Sequence, residues 1–255
     1  MKHIKTFFST IRENLIAFLI FILLWQICSM FFADYIVPSP ILIFQNLDNL
    51  ITASLKSNII ITIYRILTGF SIAFILGTGI GFFSNLLKIR ESIQTVLILF
   101  QVLPGTILGI IFLLIFGQGS TVPVVLIITL TTPLIAINTG NSLINVNQEL
   151  EDVIYSLGGN YRDVIKSVHL PALVPIMRSN CTIGIGFAIK IVILGEFIAS
   201  QTGLGYLLNV SKIYFNMRLV FFYLLSIIVI MLIFQIIINL IFVIFFEKYL
   251  FKKAG

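Results

Sequence analysis

NVNQELEDVIYSLGGNYRDVIKSVHLP, residues 145–171, is a stretch of mixed polarity set between two long apolar runs. Its pattern predicts two short helices joined by a rigid bend. Glu149, Glu151 and Asp152 complement the positive end of a first helix, and Gly158 with Gly159 supplies a left-handed stop at its far end. Asn160 is placed to cap a second helix, with Asp163 three residues on in a capping-box arrangement. Pro171 suits the first turn of the helix that follows. Cap signals at both helices distinguish this segment from an ordinary polar connector.

On either side the chain turns apolar. Of its 255 residues 59% are hydrophobic and 10% charged, against about a quarter charged in soluble domains. A helix crossing the hydrocarbon core needs roughly 20 mainly apolar residues. Six stretches meet that, near 14–33, 59–86, 93–116, 121–140, 172–198 and 219–246. The runs are continuous instead of alternating, which excludes a barrel of about ten-residue strands. The expected fold is an all-α, polytopic membrane protein with six transmembrane helices, residues 1–255 forming a single domain with the bent element at about 145–171. The N-terminal run is longer than the h-region of a signal peptide, roughly 7 to 15 residues, and reads as an uncleaved anchor.

Positive residues near helix ends stay on the cytoplasmic side of a membrane. One side collects Lys2, Lys5, Arg12, Lys88, Arg90, Arg162, Lys166, Arg178, Lys248, Lys252 and Lys253, and the other only Lys56, Lys212 and Arg218. Both termini and the 145–171 element are therefore expected in the cytoplasm. The net charge of +6 is scattered over segment ends and forms no basic surface for nucleic acid. Cys28 and Cys181 fall in or beside apolar runs, with no metal-ligand spacing.

Ionisable residues inside a span usually face a cavity or a partner. Lys190 sits well inside the fifth span and is available to an anionic solute, or to backbone carbonyls or a carboxylate across the bundle. Glu196 lies toward the outer end of the same span and is expected to order the SQTGLGYLL segment that follows, as a gate. The two are six residues apart, about 240° around a helix, and cannot pair with each other. Arg65, near the outer end of the second span, is read as snorkelling to the headgroups, with Glu196 as the alternative partner. Gln101, Pro104 and Gly105 interrupt the third span, and Thr131, Thr132 and Pro133 the fourth; a proline frees carbonyls that line a cavity or merely kinks the helix. Gly69, Ala73, Gly77 and Gly81 form a stripe of small residues for close helix contact, within the chain or between subunits. His3 and His169 stand far apart, without an H-E-x-x-H cluster, so the sequence offers no catalytic constellation.

The spacing Asp152, Val153, Ile154, Gly158, Val168, Leu170, Pro171 resembles the cytoplasmic loop signature of ABC import permeases, with Asp152 in place of the usual Glu and Val153 and Ile154 in place of alanines. Further stretches are similar to the nitrate, sulfonate and taurine branch of that family: VPSPILIF at 37–44, TIYRILTGFSIAFILGTGIGFF at 62–83, LPG at 103–105 and GEFIASQTGLGYLL at 195–208. The resemblance implies the type I importer fold in a bacterial inner membrane. It implies a second copy of this permease, two ABC ATPase subunits beneath and an extracytoplasmic binding protein above. It also implies that the loop signature couples to the ATPase, and that the cargo is a small anion such as nitrate, a sulfonate, taurine or bicarbonate. An importer of the same fold for a thiamine-precursor-like heterocycle is the alternative within the fold. The chain has no G-x-x-x-x-G-K-[ST] phosphate loop, so ATP and Mg²⁺ would belong to the partner and no cofactor to this chain. A stand-alone channel or secondary carrier is the rival outside the family; the two halves lack the similarity of inverted repeats.

Overall fold

The computed structural model describes the backbone of residues 2–45, 47–144 and 148–250. Residues 145–147, which open the expected 145–171 element, and Lys252 and Lys253 of the C-terminal tail lie outside the described residues. Every regular element among those described is helical. In order they are α1 (Lys2–Ser29), α2 (Pro40–Gln45), α3 (Leu47–Leu50), α4 (Ala53–Leu86), α5 (Arg90–Val102), α6 (Gly105–Phe116), α7 (Thr121–Ile144), α8 (Gln148–Ser156), α9 (Tyr161–Val164), α10 (Leu170–Ala199), α11 (Leu204–Ile213) and α12 (Met217–Leu250).

Four rods are long and apolar enough to cross a membrane: α4, α7, α10 with its N-terminal extension, and α12. The α5–α6 pair passes the same test jointly but is bent by 83°. The cause is local. Leu103 precedes Pro104 and is held extended at ψ 123°, as a residue before proline tends to be, and Pro104 at φ −61° then starts α6 as its cap. The first expected span, near 14–33, corresponds to Leu15–Ser29 of α1, a shorter apolar helix. Pro133, by contrast, lies inside an unbroken α7, so the fourth span is not interrupted where the sequence suggested.

The core forms where α7 runs between α4 and α10. Ile66, Leu126, Ile127, Ile135, Ala188, Ile189 and Val192 are fully or almost fully buried there. The small-residue stripe brings α4 against α7. A Cβ at Gly69 would stand 2.8 Å from that of Ile127, one at Gly77 2.7 Å from that of Ile135, and one at Gly81 2.6 Å from that of Thr139. The stripe therefore serves packing within the chain. A second cluster near the outer loops joins α1 to α12 through Trp25, whose ring stacks on Phe221 at 5.3 Å and whose Nε1–H donates to the Pro38 carbonyl. Outward-facing side chains such as Ile75, Leu114 and Phe245 are apolar and exposed, as suits contact with lipid.

Candidate functional site: cavity, clamp and bend

A cavity of about 440 Å³ opens beside the α5–α6 break, lined in part by Gln101, Gly105, Thr106, Leu134, Phe187 and Lys190. Three of the residues singled out from sequence, Gln101, Gly105 and Lys190, thus meet from three elements: the end of α5, the start of α6 and the middle of α10. Pro104 makes the turn that separates the first two. Phe187 reaches the same wall because it lies three residues before Lys190, one helical turn away. Lys190 is nine residues before the end of α10, about 14 Å below its outer terminus at 1.5 Å per residue. That distance is about half the thickness of a hydrocarbon core, roughly 30 Å. Among the described residues no carboxylate lies within ion-pair distance of Lys190. Thr131 and Thr132 do not line the cavity; their neighbours Leu130 and Leu134 do.

Toward the outer end lies a clamp centred on Arg65 and Glu196, whose side chains are 1% and 0% exposed. Arg65 Nη1 donates to Glu196 Oε1 and to the Thr202 carbonyl, both at 2.8 Å. Its Nε and Nη2 donate to Ser120 Oγ, and Nη2 also to Thr202 Oγ1. All five guanidinium donors are thereby used. Glu196 accepts from Thr62 Oγ1 at 2.9 Å and from the Gly205 amide at 2.9 Å. Thr62 Oγ1 accepts in turn from the Leu204 amide, and Asn58 Oδ1 from the Gly203 amide. Four separate pieces of chain meet at this point: α4, the turn before α7, the end of α10 and the loop into α11. Gly203 sits at φ +104°, and a Cβ there would overlap the Glu196 carboxylate, so the loop closes on the ion pair only because position 203 is glycine. Arg65 is therefore not a snorkelling residue; burial with a full set of partners holds it inside the bundle.

Asn58, Thr62 and Ser120 were not singled out from sequence, whereas Thr202 and Gly203 lie in the SQTGLGYLL segment that Glu196 was expected to order, and it does so here. Asn58, Thr62 and Arg65 nonetheless follow the i, i+4, i+7 spacing of one helix face within an apolar run, a legible polar stripe.

On the opposite side, α8 ends in two bonds of the Schellman type, Gly158 N–H to the Tyr155 carbonyl and Gly159 N–H to the Ile154 carbonyl, with Gly158 at φ +81°. The capping box on Asn160 and Asp163 is complete in both directions. Beyond it the expectation of a separate helix fails. α9 continues through a π-helical turn, Ile165–His169, into α10, making one rod over Tyr161–Ala199. Pro171 has no N–H to offer, and the ladder is already shifted at Leu170, whose N–H bonds Ile165. Asp152, Val153, Gly158 and Leu170 are exposed, Ile154 and Pro171 half-buried, and Val168 buried. Leu150, Tyr155, Leu157 and Tyr161 add to an exposed apolar surface on this bend.

Cavity, clamp and bend share one long element. α10 carries Lys190 in the cavity and Glu196 in the clamp, and the bend leads into its inner end. The sequence profile of the family described as binding-protein-dependent transport system inner membrane component matches residues 69–249. The formylaminopyrimidine transport permease protein ThiX of Halalkalibacterium halodurans is 25% identical over 198 residues, 76% of this chain and 78% of that one. The putative aliphatic sulfonates transport permease protein SsuC of Bacillus subtilis is 27% identical over 175 residues, covering 68% of this chain and 63% of its own. Among solved structures, the MetNI methionine ABC transporter in an inward-facing form superposes with a TM-score of 0.62 at 18% identity, covering 74% of this chain and 94% of the other.

Proposed function

Since this chain belongs to the family of binding-protein-dependent transport system inner membrane components, we propose that it carries a small solute past Lys190 while the bend at α8 receives the stroke of the ATPase. It is a multi-pass permease subunit of an ABC importer with the type I fold, a transport protein and not an enzyme. The substrate, the assembly and the residues that do the work are the proposed part.

The cavity carries the reading. A lysine near the middle of the bilayer, with no carboxylate beside it, is costly unless something negative arrives to meet it. Gln101 and Thr106 add amide and hydroxyl partners, and the volume falls within the range of roughly 300–1,000 Å³ common for small-molecule sites. A small anion such as a sulfonate, taurine, nitrate or bicarbonate fits these groups. A second reading, a thiamine-precursor-like heterocycle, is favoured by Phe187 in the same wall and by the ThiX relative. Under both, Gln101, Pro104, Gly105 and Lys190 form the pathway, and Glu196 with Arg65 holds the outer end as a gate.

The distribution of Lys and Arg supports cytoplasmic termini in a bacterial inner membrane. Two such permeases, two ATPase subunits that bind ATP and Mg²⁺, and an extracytoplasmic binding protein complete the proposed assembly. This chain, residues 1–255, is one domain in it and holds no cofactor. Asp152, Val153, Ile154 and Gly158 face or shape the surface offered to the ATPase, while Val168, Leu170 and Pro171 join it to the span.

The test is uptake of labelled sulfonates, nitrate and pyrimidine heterocycles by proteoliposomes holding the complete importer. Lys190→Gln is expected to lower anion uptake by about thirtyfold or more, as removal of one charged partner of a buried pair costs about 2 kcal/mol or more. Uptake of a heterocycle alone, unaffected by Lys190→Gln, would establish the second reading instead.

A further inference from the structure

The bend has a mechanical weakness at the place where it is sharpest. α8 joins the long rod through Leu157, Gly158 and Gly159, and Gly158 holds φ +81°. The Schellman bonds and the capping box fix this turn locally, but they lie at the joint itself, so a push on the far end of α8 bears on one short turn. α8 packs on α9 and has no other extended helix contact among the described residues.

One side-chain contact lies away from the joint. His169 Nε2 stands 3.3 Å from Glu151 Oε1, with His169 8% and Glu151 28% exposed. Glu151 is six residues before Leu157, about 9 Å up α8 from the joint. His169 closes the π turn and abuts α10 directly. The contact therefore makes a triangle with the glycine joint at its apex. A joint braced at a second point transmits force where a single joint does not. His169 is buried, as Val164 and Val168 on the same stretch are, and its Nδ1 has no hydrogen-bond partner. A buried ring nitrogen left unpaired is a cost, and the Glu151 contact is the polar interaction set against it.

We infer that Glu151 and His169 form the strut that makes α8 and α10 a single lever, so that His169 is a positioning residue for ATP-coupled transport. The inference rests on the reading that the ATPase docks at α8. In the complete importer in proteoliposomes, His169→Leu and Glu151→Gln are expected to leave ATPase association and ATP hydrolysis in place. Each would lower solute transported per ATP by roughly tenfold, within the span of ordinary site-to-site coupling. The two changes together should cost no more than either alone. With Cys28 and Cys181 replaced, a short bis-methanethiosulfonate, which forms a disulfide with each thiol and releases methanesulfinate, should restore the ratio when it joins Glu151→Cys to His169→Cys, which a loss of local folding would not allow.

An unchanged ratio in both single variants, with Gly158→Pro uncoupled, overturns the strut and leaves the lever standing. An unchanged ratio in all three overturns the docking reading and the strut with it. Loss of the ATPase from the His169→Leu complex also overturns the strut, because the residue would then serve docking.

Discussion

Arg65 and Glu196 are 131 positions apart and meet at 2.8 Å with almost no exposure. Removing one partner leaves the other charge buried and uncompensated, at about 3–5 kcal/mol. Arg65→Leu should accordingly lower the thermal unfolding midpoint of the detergent-solubilised protein sharply. The double change Arg65→Leu with Glu196→Leu should be milder than the sum of the single ones, because the stranded charge disappears with its partner. Equal and additive losses would mean that the two side chains act independently. At this scale the sequence was legible by type, and the Arg65–Glu196 pairing stood in it only as the alternative to snorkelling; the structure selects that alternative. Charged residues inside spans announce a partner, but which one depends on how α4, α7 and α10 come together. The polar stripe Asn58, Thr62, Arg65 identifies the face of α4 that carries the clamp, while Ser120 and Thr202 sit in turns without periodicity to mark them.

At the scale of elements, two helix features separate packing from mechanism. The glycine stripe of α4 is packing. Gly81→Leu would force a side chain into the Ala136 carbonyl and Thr139, whereas Gly79 has open space within 4 Å. Overpacking is expected to cost about 1–3 kcal/mol at position 81, so thermal unfolding should fall for Gly81→Leu and barely move for Gly79→Leu. The bend after α8 is the mechanical feature. Gly158→Pro replaces a residue at φ +81° by one fixed near −65°, which redirects α8 without touching the spans. Membrane insertion should persist while transport per ATP collapses, and normal coupled uptake would count against the lever. The cap residues of this bend were readable because glycine, asparagine and aspartate act on neighbours in sequence. The π turn was not, because a register shift before Pro171 lets α9 and α10 share one axis, and that continuity depends on burial of Val164 and Val168 in the bundle. The α5–α6 break was signalled by Pro104, whereas Pro133 sits in α7 without breaking it.

For the whole molecule, hydropathy and charge asymmetry carry most of the architecture, since a bilayer sorts helices by length and basic residues by side. What they leave unstated is which faces are inward. Gln101, Gly105 and Lys190 share a cavity because the 83° turn made at Pro104 is set beside α10, and that placement, unlike the turn itself, is a property of the packed bundle. The apolar side chains of Leu150, Tyr155, Leu157 and Tyr161 are exposed together on the bend, a surface that calls for a partner and that the proposed seat of the ATPase would cover.

We propose that a separate ATPase drives this permease through the 152–171 element. This is tested most directly by tagging the chain in its native cell, purifying it in mild detergent and identifying the co-purifying proteins by mass spectrometry. An ATPase with a phosphate-binding loop is expected to co-purify, and to be lost when the exposed bend at Asp152, Val153 and Leu157 is altered. Recovery of the chain alone, under conditions that keep other membrane complexes together, would contradict it.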